Sequence, residues 1–560
     1  MRWRSIARLS CLSAILVAAI SFVSGDRALA QGETTSAIAG EVRDTANAVV
    51  PGAAVAITNH ETGLKRNAKT DSAGRFNFTQ LKPGAYSVQV QAQGFEPQRN
   101  DNVSSGLGQK QTVDFTLQVA HSNEVVEVNG EAPLINPANA NTSTTLNAPA
   151  LEDLPNPGGD LTYPLQFSPG ALINTAGSGN DFVGSSNGYG NVEFNGLPAL
   201  SNGYIVDGLE TNDPLTNLNS GLSTNLVLGL NSIAEATVNT LSYSVDQGRY
   251  GASQVNYVTK SGTNQFHGNL YELWNGALLN AADYFTNATP GNHKPGATVN
   301  HLGGSLGGPI LHNKLFFFFD SEWVRIALPI VTPTIVPTPA LQRYVLQQLP
   351  LGLADANGNV IYPEEPQEVA FYEKMFALYG NTSGTPTAIL GCPITAGCAN
   401  RQSVSHSSDD HEQVQTVRLD YNVSQEDTAW FRFQADTGVQ AAWTDPINPL
   451  FDAVSPQPLY SFAAGNTHVF SQNLVNYFNP AFSWYESLFG PGNFQKTLAA
   501  FPIVLQGSGA NPFTPIGGLD NTWAQGRRAS RFFINDNLAW SHGAHELRFG
   551  TNTRIIRLND

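Results

Sequence analysis

The sequence predicts a mainly β protein that is exported and whose C-terminal half consists of membrane-spanning strands. Composition is the first observation: only 13% of the 560 residues are charged, whereas 10% are aromatic and 52 are glycine, as expected for many strands joined by turns. The second observation is an export signal at the N-terminus. The third is a regular alternation of apolar and polar side chains from residue 263 onward, with the period of a β-strand.

Residues 1–30 have the three parts of a secretory signal peptide. Arg2, Arg4 and Arg8 supply a positive start, a short apolar stretch follows, and residues 28–30 form a small-x-small cleavage site. We expect removal of this segment, with an uncleaved membrane anchor as the alternative. The sequence has no later stretch of about 20 apolar residues. Any membrane crossing must therefore use strands closed into a barrel, in which no backbone edge faces lipid.

Charge and cysteine content limit the partners and the chemistry. A net charge of −16 leaves no basic surface for phosphates, so no nucleic-acid partner is expected. Beyond the signal segment only Cys392 and Cys398 remain. In an oxidising compartment a small loop disulfide is the simplest interpretation, and two isolated thiols are the alternative. Because the sequence has no phosphate-binding loop, zinc-helix motif or paired CxxC, we predict no catalytic residues, no metal site and no cofactor.

Residues 31–118 are predicted to form a compact β-sandwich. Apolar side chains recur at every second position in three runs that turn signals separate, which is the pattern of half-buried strands. The runs are Val55 and Ile57, Phe76 and Phe78, and Tyr86, Val88 and Val90. Five short motifs lie at residues 40–44, 50–55, 70–76, 81–86 and 94–95. They resemble the carboxypeptidase regulatory-like domain, which implies an immunoglobulin-like or transthyretin-like fold without catalytic residues of its own.

Residues 119–150 are predicted to be a linker that contains one short extended segment. The segment comprises Glu124, Val125, Val126, Glu127 and Val128. An extended, exposed strand can add itself to the sheet edge of a partner. The segment is therefore our candidate for coupling the protein to a partner. The alternatives are that it is the last strand of the sandwich or a plain linker.

Residues 151–262 are predicted to form a separate domain that continues directly into the strands of the C-terminal half. Its most specific stretch comprises Gly248, Arg249, Tyr250, Gly251, Thr259, Lys260, Ser261, Gly262, Thr263 and Asn264. This stretch resembles the junction between the plug domain and the first barrel strand in the Oar-like branch of TonB-dependent outer-membrane receptors. The resemblance implies an α+β plug domain. Ala252 and Ser253 depart from the family's usual glycine pair, which leaves the local backbone path open.

Residues 263–560 are predicted to form part of an antiparallel transmembrane β-barrel. Apolar and polar side chains alternate around residues 415–423, 428–436 and 546–555, so one face suits lipid and the other suits a hydrated lumen. Short turns near 312–313, 424–427, 471–472 and 541–545 alternate with long segments at 326–411 and 487–526. About nine strands are expected here, whereas barrels of the resembled family close with roughly 22. We therefore expect a truncated chain, with a complete smaller barrel as the alternative.

The resemblance also implies a function that is not enzymatic. A TonB-dependent receptor lies in the outer membrane of a Gram-negative-type bacterium, in contact with its lipid, with the sandwich and plug on the periplasmic side. It imports an extracellular ligand when a TonB-type energy-coupling protein of the inner membrane remodels the plug. Siderophores, oligosaccharides, peptides and cobalamin are imported by receptors of this architecture, so the ligand stays unidentified. The alternative is an outer-membrane surface protein with an adhesive or binding role and no transport.

Overall fold

The structure, a computed structural model, describes most of the chain beyond the predicted signal peptide, which lies outside the described residues. The described residues are 35–120, 126–127, 142–154, 162–173, 192–215, 217, 229–240, 250–279, 281, 296, 298–354, 357–380, 382–389, 391–500, 513–514, 525–543 and 545–559. Strands predominate among them. No helix in this part of the chain is long and apolar enough to cross a membrane.

The first part of the chain is a two-sheet sandwich. Its strands are β1 (Ser36–Asp44), β2 (Ala54–Asn59), β3 (Lys65–Lys69), β4 (Arg75–Leu81), β5 (Gly84–Gln91), β6 (Gln98–Ser105), β7 (Lys110–Thr112), β8 (Phe115–Leu117) and β9 (Val126–Glu127). One sheet has the order β4-β1-β7, with β8 also on β1, and the other has the order β3-β2-β5-β6-β9. The alternating residues Val55, Phe76 and Val88 are buried between the sheets. The predicted sandwich is therefore confirmed.

The second part, called the plug below, is a small mixed domain. Its elements are β10 (Thr142–Asn147), α1 (Ala148–Asp153), β11 (Ala171–Ile173), β12 (Val192–Phe194), β13 (Asn202–Val206), β14 (Leu209–Glu210), β15 (Ile233–Thr240) and β16 (Ser253–Thr259). The main sheet has the order β10-β15-β16-β13-β14. Every residue of β16 is buried. A strand buried on both faces has to be covered on both sides, which is the situation of a sheet enclosed by other parts of the protein.

The third part is an antiparallel sheet of nine long strands, one of them interrupted. The strands are β17 (His267–Gly276), β18 (Thr298–Leu311), β19 (Leu315–Pro337), β23 (Ala399–Asn422), β24 (Asp427–Trp443), β25 (Ala453–Pro456) with β26 (Leu459–Ser471), β27 (Leu474–Pro491), β28 (Gln525–His542) and β29 (His545–Asn559). Consecutive strands pair along the chain, and β25 and β26 together occupy one place between β24 and β27. The interruption falls at Gln457 and Pro458, as expected because proline cannot donate to a ladder.

The two faces of this sheet have opposite chemistry, as the alternation predicted. On β24 the outward residues Phe431 and Phe433 are 41% and 40% exposed, whereas Arg432 between them is fully buried on the inner face. Outward rings also contact one another across strands, with Phe462 and Phe482 centroids 5.5 Å apart. An apolar outer face and a polar inner face are what a barrel strand needs between lipid and lumen.

The strands run further than the sequence predicted, so the predicted long segments 326–411 and 487–526 were too long. β19 continues to Pro337 and pairs with β23 throughout, from Leu315 opposite Tyr421 to Pro337 opposite Ala399. Prolines 329, 333 and 337 suggested a loop. They are spaced by four, so their missing N–H groups all fall on one side of the strand. Among the described residues, β18 pairs with β19 only as far as Ala327. Beyond that point the same side of β19 contacts Thr514 at Ile335 and no strand ladder, and such an edge tolerates proline.

Between the long strands lie compact loops on the side opposite the short turns. They contain α2 (Pro339–Gln348), β20 (Leu353–Ala354), β21 (Val360–Tyr362), α3 (Val369–Ala377), β22 (Thr385–Thr387) and α4 (Phe494–Ala500). Val336, Tyr379 and Phe451, from three different segments, share one small apolar cluster. Cys392 and Cys398 form a disulfide in the loop between β19 and β23, with Cα atoms 6.4 Å apart.

Candidate functional site: the plug seated in the barrel

The plug contacts the barrel wall through a tight hairpin that the sequence specifies locally. β13 and β14 are joined by Asp207 and Gly208, with Val206 opposite Leu209. Both turn residues have positive φ, 47° and 84°, as in a type I′ turn, for which Asp-Gly is a preferred pair. A Cβ on Gly208 would lie 2.0 Å from Oδ1 of Asn479 in the barrel. Only glycine therefore allows the turn to approach the wall this closely.

The turn residue Asp207 is the centre of a buried ionic cluster. Its Oδ1 lies 3.3 Å from Arg418 Nη1, and its Oδ2 lies 2.9 Å from Arg432 Nε. Thr259 of the plug donates its backbone N–H and its hydroxyl to the same carboxylate, at 3.0 and 2.8 Å. The three charged side chains are almost completely buried. Removing one partner of such a group leaves an uncompensated charge, which is strongly destabilising.

Two further acidic residues extend this contact along the hairpin. Glu210 Oε2 lies 2.7 Å from Arg554 Nη1. Asp213 Oδ2 lies 2.7 Å from Arg527 Nη2 and accepts the Tyr485 hydroxyl. We call residues 207–213 the acidic hairpin. The barrel wall that receives it is basic and is drawn from strands β23, β24, β28 and β29.

A second contact joins the plug to β19, and here the carboxylates belong to the barrel. Asn231 donates its N–H to Glu322 Oε1 at 3.1 Å, and the Ser232 hydroxyl donates to Asp320 Oδ2 at 2.7 Å. A Cβ on Gly229 would lie 2.3 Å from Glu322 and 2.4 Å from Asp320. The barrel carboxylates therefore receive neutral donors of the plug here, and glycine provides the space.

The structure gathers several residues of the predicted junction motif at the crossing from plug to barrel. Tyr250 is buried against Gly203 of β13, and Thr259 holds the carboxylate of Asp207. A Cβ on Gly262 would lie 2.3 Å from the Phe317 carbonyl oxygen, so the chain passes the barrel wall where only glycine fits. The other described positions of the motif make hydrogen bonds. The backbone N–H groups of Gly251 and Lys260 donate to the carbonyl oxygens of Ser201 and Ser232, respectively. Ser261 accepts from Lys82, Thr263 donates to the Gln265 carbonyl oxygen, and Asn264 donates to Asn313. Gly248 and Arg249 lie outside the described residues.

The predicted coupling segment is described only at its middle. Val126 and Glu127 form the short strand β9, which pairs parallel with Gln98 and Arg99 of β6. This is the position that the alternative, a last strand of the sandwich, requires. Glu124, Val125 and Val128 lie outside the described residues. The coupling role stays a prediction.

Sequence reasoning did not identify the residues that receive the plug. The alternation placed Arg418, Arg432 and Arg554 on the polar faces of their strands, but nothing marked Arg527, Asp320 or Glu322 as plug contacts. The Asp-Gly pair at 207–208 was the one local signal, since it specifies a tight turn whose side chain points outward. Among the described residues no group of three or more His, Cys, Asp and Glu side chains is arranged to hold a metal ion.

These observations define a class of protein. An antiparallel strand wall with an apolar outer face, a polar inner face and a folded plug against that inner face is the architecture of a plugged outer-membrane β-barrel. A family model described as an outer membrane beta barrel domain matches residues 258–560, more than half of the chain. A second, described as a carboxypeptidase regulatory-like domain, matches residues 37–118.

The protein belongs to the outer-membrane β-barrel family, which confirms the predicted barrel and its location in the outer membrane. It is 30% identical over 312 residues to the TonB-dependent transporter Oar of Myxococcus xanthus, covering 54% of this chain and 28% of that relative. Similar solved structures include the outer-membrane transporter YddB of Escherichia coli (10% identity, TM-score 0.48, 74% of this chain and 48% of that one). Another is a variant of the ferric enterobactin receptor PfeA of Pseudomonas aeruginosa (11%, 0.44, 75% and 49%). The chain thus spans less than a third of the relative Oar.

Proposed function

We propose that the protein imports a ligand across the outer membrane and that an inner-membrane partner of the TonB type drives the step. The observation that carries this proposal is the acidic hairpin of the plug, held against the barrel wall by buried ion pairs. Thermal motion alone rarely breaks such contacts, because separating them in a low-dielectric site leaves unpaired charges. A plug held in this way blocks diffusion and needs an external force to move.

The segment 124–128 is the proposed point at which the partner applies that force. It precedes the plug directly in the chain, so a pull on it reaches β10 before any other plug strand. Among the described residues, two pairs hold β9 on β6. So short a pairing is weak, and a partner strand could replace it by adding to the released segment.

The test is binding of the partner's purified periplasmic domain to the protein in detergent. Val126→Pro removes an N–H that strand addition uses, and we expect binding to fall at least tenfold. Gly130→Pro, in the same linker but outside the segment, is the matched control and should bind like the wild type. Equal binding by both variants would refute the role of the segment. If energised cells that carry the receptor also accumulated no ligand, a surface-binding protein would be favoured over a transporter.

A further inference from the structure

The sandwich lies across the short turns of the barrel, which in outer-membrane barrels face the periplasm. We call these turns, which follow β18, β23, β26 and β28, the periplasmic rim. The sandwich touches each of them. Gly63 packs against Asn313, and Asn67 donates to Gln425 at 3.1 Å. The Lys69 N–H donates to Gln472 at 2.7 Å, and Lys110 forms an ion pair with Glu546 at 3.2 Å.

The same domain also contacts the plug and the junction. The Leu107 N–H donates to Glu235 Oε1 of β15 at 3.0 Å, and Gln109 donates to Thr145 of β10 at 3.1 Å. Lys82 donates to the Ser261 hydroxyl at the junction. One domain therefore bridges the rim and the underside of the plug.

A cavity of about 100 Å³ lies where the sandwich, plug and barrel meet. Arg66 and Tyr86 of the sandwich, Asp207 and Val258 of the plug, and Arg418 and Thr428 of the barrel are among its lining residues. By this measure one water needs about 10–15 Å³, so the space holds several waters. The inner face of the barrel wall thus ends, on its periplasmic side, at the sandwich.

We propose that the sandwich is a second closure of the barrel, which covers the periplasmic mouth below the plug and has to leave before a ligand can pass. This gives the domain a role as a periplasmic gate. Its hydrogen bonds to Gln425, Gln472 and Ser541 of the rim are neutral, and neutral hydrogen bonds are individually weak. Glu546 accepts two further contacts, from Lys110 and Asn77. Such an interface can open and close without unfolding the domain.

The gate opens before the plug moves, a step that rests on the proposed coupling function. The segment 124–128 lies between the sandwich and the plug, so a pull on it acts on both. Because the chain runs from β8 of the sandwich into the segment, a pull on the released segment reaches the sandwich through the backbone. The sandwich is held by weaker contacts than the acidic hairpin, so it leaves first.

The test measures access to Thr428, which lines the cavity on the barrel side. Thr428→Cys is introduced into the full chain, and its reaction rate with a membrane-impermeant maleimide is measured in outer-membrane fragments open to the periplasmic side. The comparison is made with and without Gln425→Ala, Gln472→Ala and Glu546→Ala, which remove three side-chain acceptors of the rim while leaving the sandwich sequence intact. Losing about three such contacts should raise the rate at least tenfold. Asn473→Ala, an exposed rim change, should leave it unaltered.

Two further measurements keep the interpretation unambiguous. His312→Cys, on an exposed part of the rim, should react at the same rate in both backgrounds. An equal Thr428→Cys rate in the intact and triple-substituted chains would overturn the closure. In living cells, a Thr428→Cys rate that rises on energisation and falls with a protonophore supports opening by the coupling partner. If energisation does not change the Thr428→Cys rate in cells while the triple substitution raises it in fragments, the closure stands and the proposed coupling is rejected.

Discussion

The plug and the sandwich both rest on the barrel, but different contacts hold them. Within the described residues, the plug offers three carboxylates of the acidic hairpin to arginines of the barrel, of which Arg418 and Arg432 are buried and Arg527 and Arg554 are partly exposed. The sandwich offers one ion pair, Lys110 with Glu546, and otherwise mostly neutral hydrogen bonds with the rim.

The difference suggests how two closures on one barrel can open in sequence. A buried charge has to be paired with an opposite charge, since leaving it unpaired costs far more free energy than leaving a neutral group unpaired. The plug contact is therefore specific and hard to break in part. Neutral contacts at a hydrated rim are exchanged with water at little net cost, so the sandwich can separate as a unit.

The largest effect is expected from Asp207→Ala, which removes the centre of the ionic cluster. Arg432 would then lose its carboxylate partner in a buried site beside Arg418, which keeps its pair with Asp420 at 3.0 Å, at a cost of about 3–5 kcal/mol. We expect the plug to become protease-sensitive at a much lower urea concentration than in the wild type. Asp409→Ala, which removes an exposed pair with Arg325, is the control and should have no measurable effect. A stable plug in the Asp207 variant would show that the hairpin does not hold it.

A pair of double-mutant cycles compares the two interfaces directly. Arg527 reaches Asp213 with both Nε and Nη2, at 2.9 and 2.7 Å, whereas Lys110 makes a single contact with Glu546. Arg548 also lies 3.5 Å from Glu546 and partly replaces Lys110 when it is removed. We expect a coupling free energy of about 2 kcal/mol for the first pair, which makes two contacts, and below about 1 kcal/mol for the second, whose single contact is shared with Arg548. Equal values, from urea titrations of plug and sandwich release, would contradict the proposed order of opening.

A pH effect of about 1–2 kcal/mol is expected where the sandwich meets the plug. Burial raises the pKa of Glu235 to about 7, and the N–H bond from Leu107 opposes the shift. Between pH 4.5 and 7 the carboxyl is neutral when docked and ionised when exposed, so docking weakens as pH rises and levels off above about 7. Glu235→Gln keeps an acceptor for Leu107 and carries no charge. Its sandwich should dock equally well at pH 5.5 and 8, as measured by Thr428→Cys labelling.

The smallest effect is expected from Asn67→Ala, which removes one exposed contact with Gln425. A single neutral hydrogen bond contributes at most about 1 kcal/mol here, so labelling of Thr428→Cys should rise less than about fivefold. Val119→Ala, at an exposed position of the sandwich away from the rim contacts, is the control. A tenfold rise from Asn67→Ala alone would mean that the sandwich is held by few strong contacts.

Much of this architecture follows from local patterns in the sequence. The period of two placed Phe431 and Phe433 on one face of β24 and Arg432 on the other, because successive side chains of a strand point to opposite sides. The Asp-Gly pair specified the turn at 207–208. The extension of β19 to Pro337 was not predicted, because a local rule against proline in strands does not show where a strand lacks a second ladder.

The sequence by itself determined that this is an exported β protein with a sandwich and transmembrane strands, since composition, export signal and strand period are local properties, and the resemblance of residues 248–264 to a family junction implied the plug. Only the tertiary structure decided which arginines meet the acidic hairpin and that the sandwich covers the periplasmic rim. Asp207 and Arg432 are separated by more than two hundred residues, as are Lys110 and Glu546 by more than four hundred. Such pairs depend on the register of many strands and on how separately folded parts dock. Neither the register nor the docking produces a periodic pattern in the sequence.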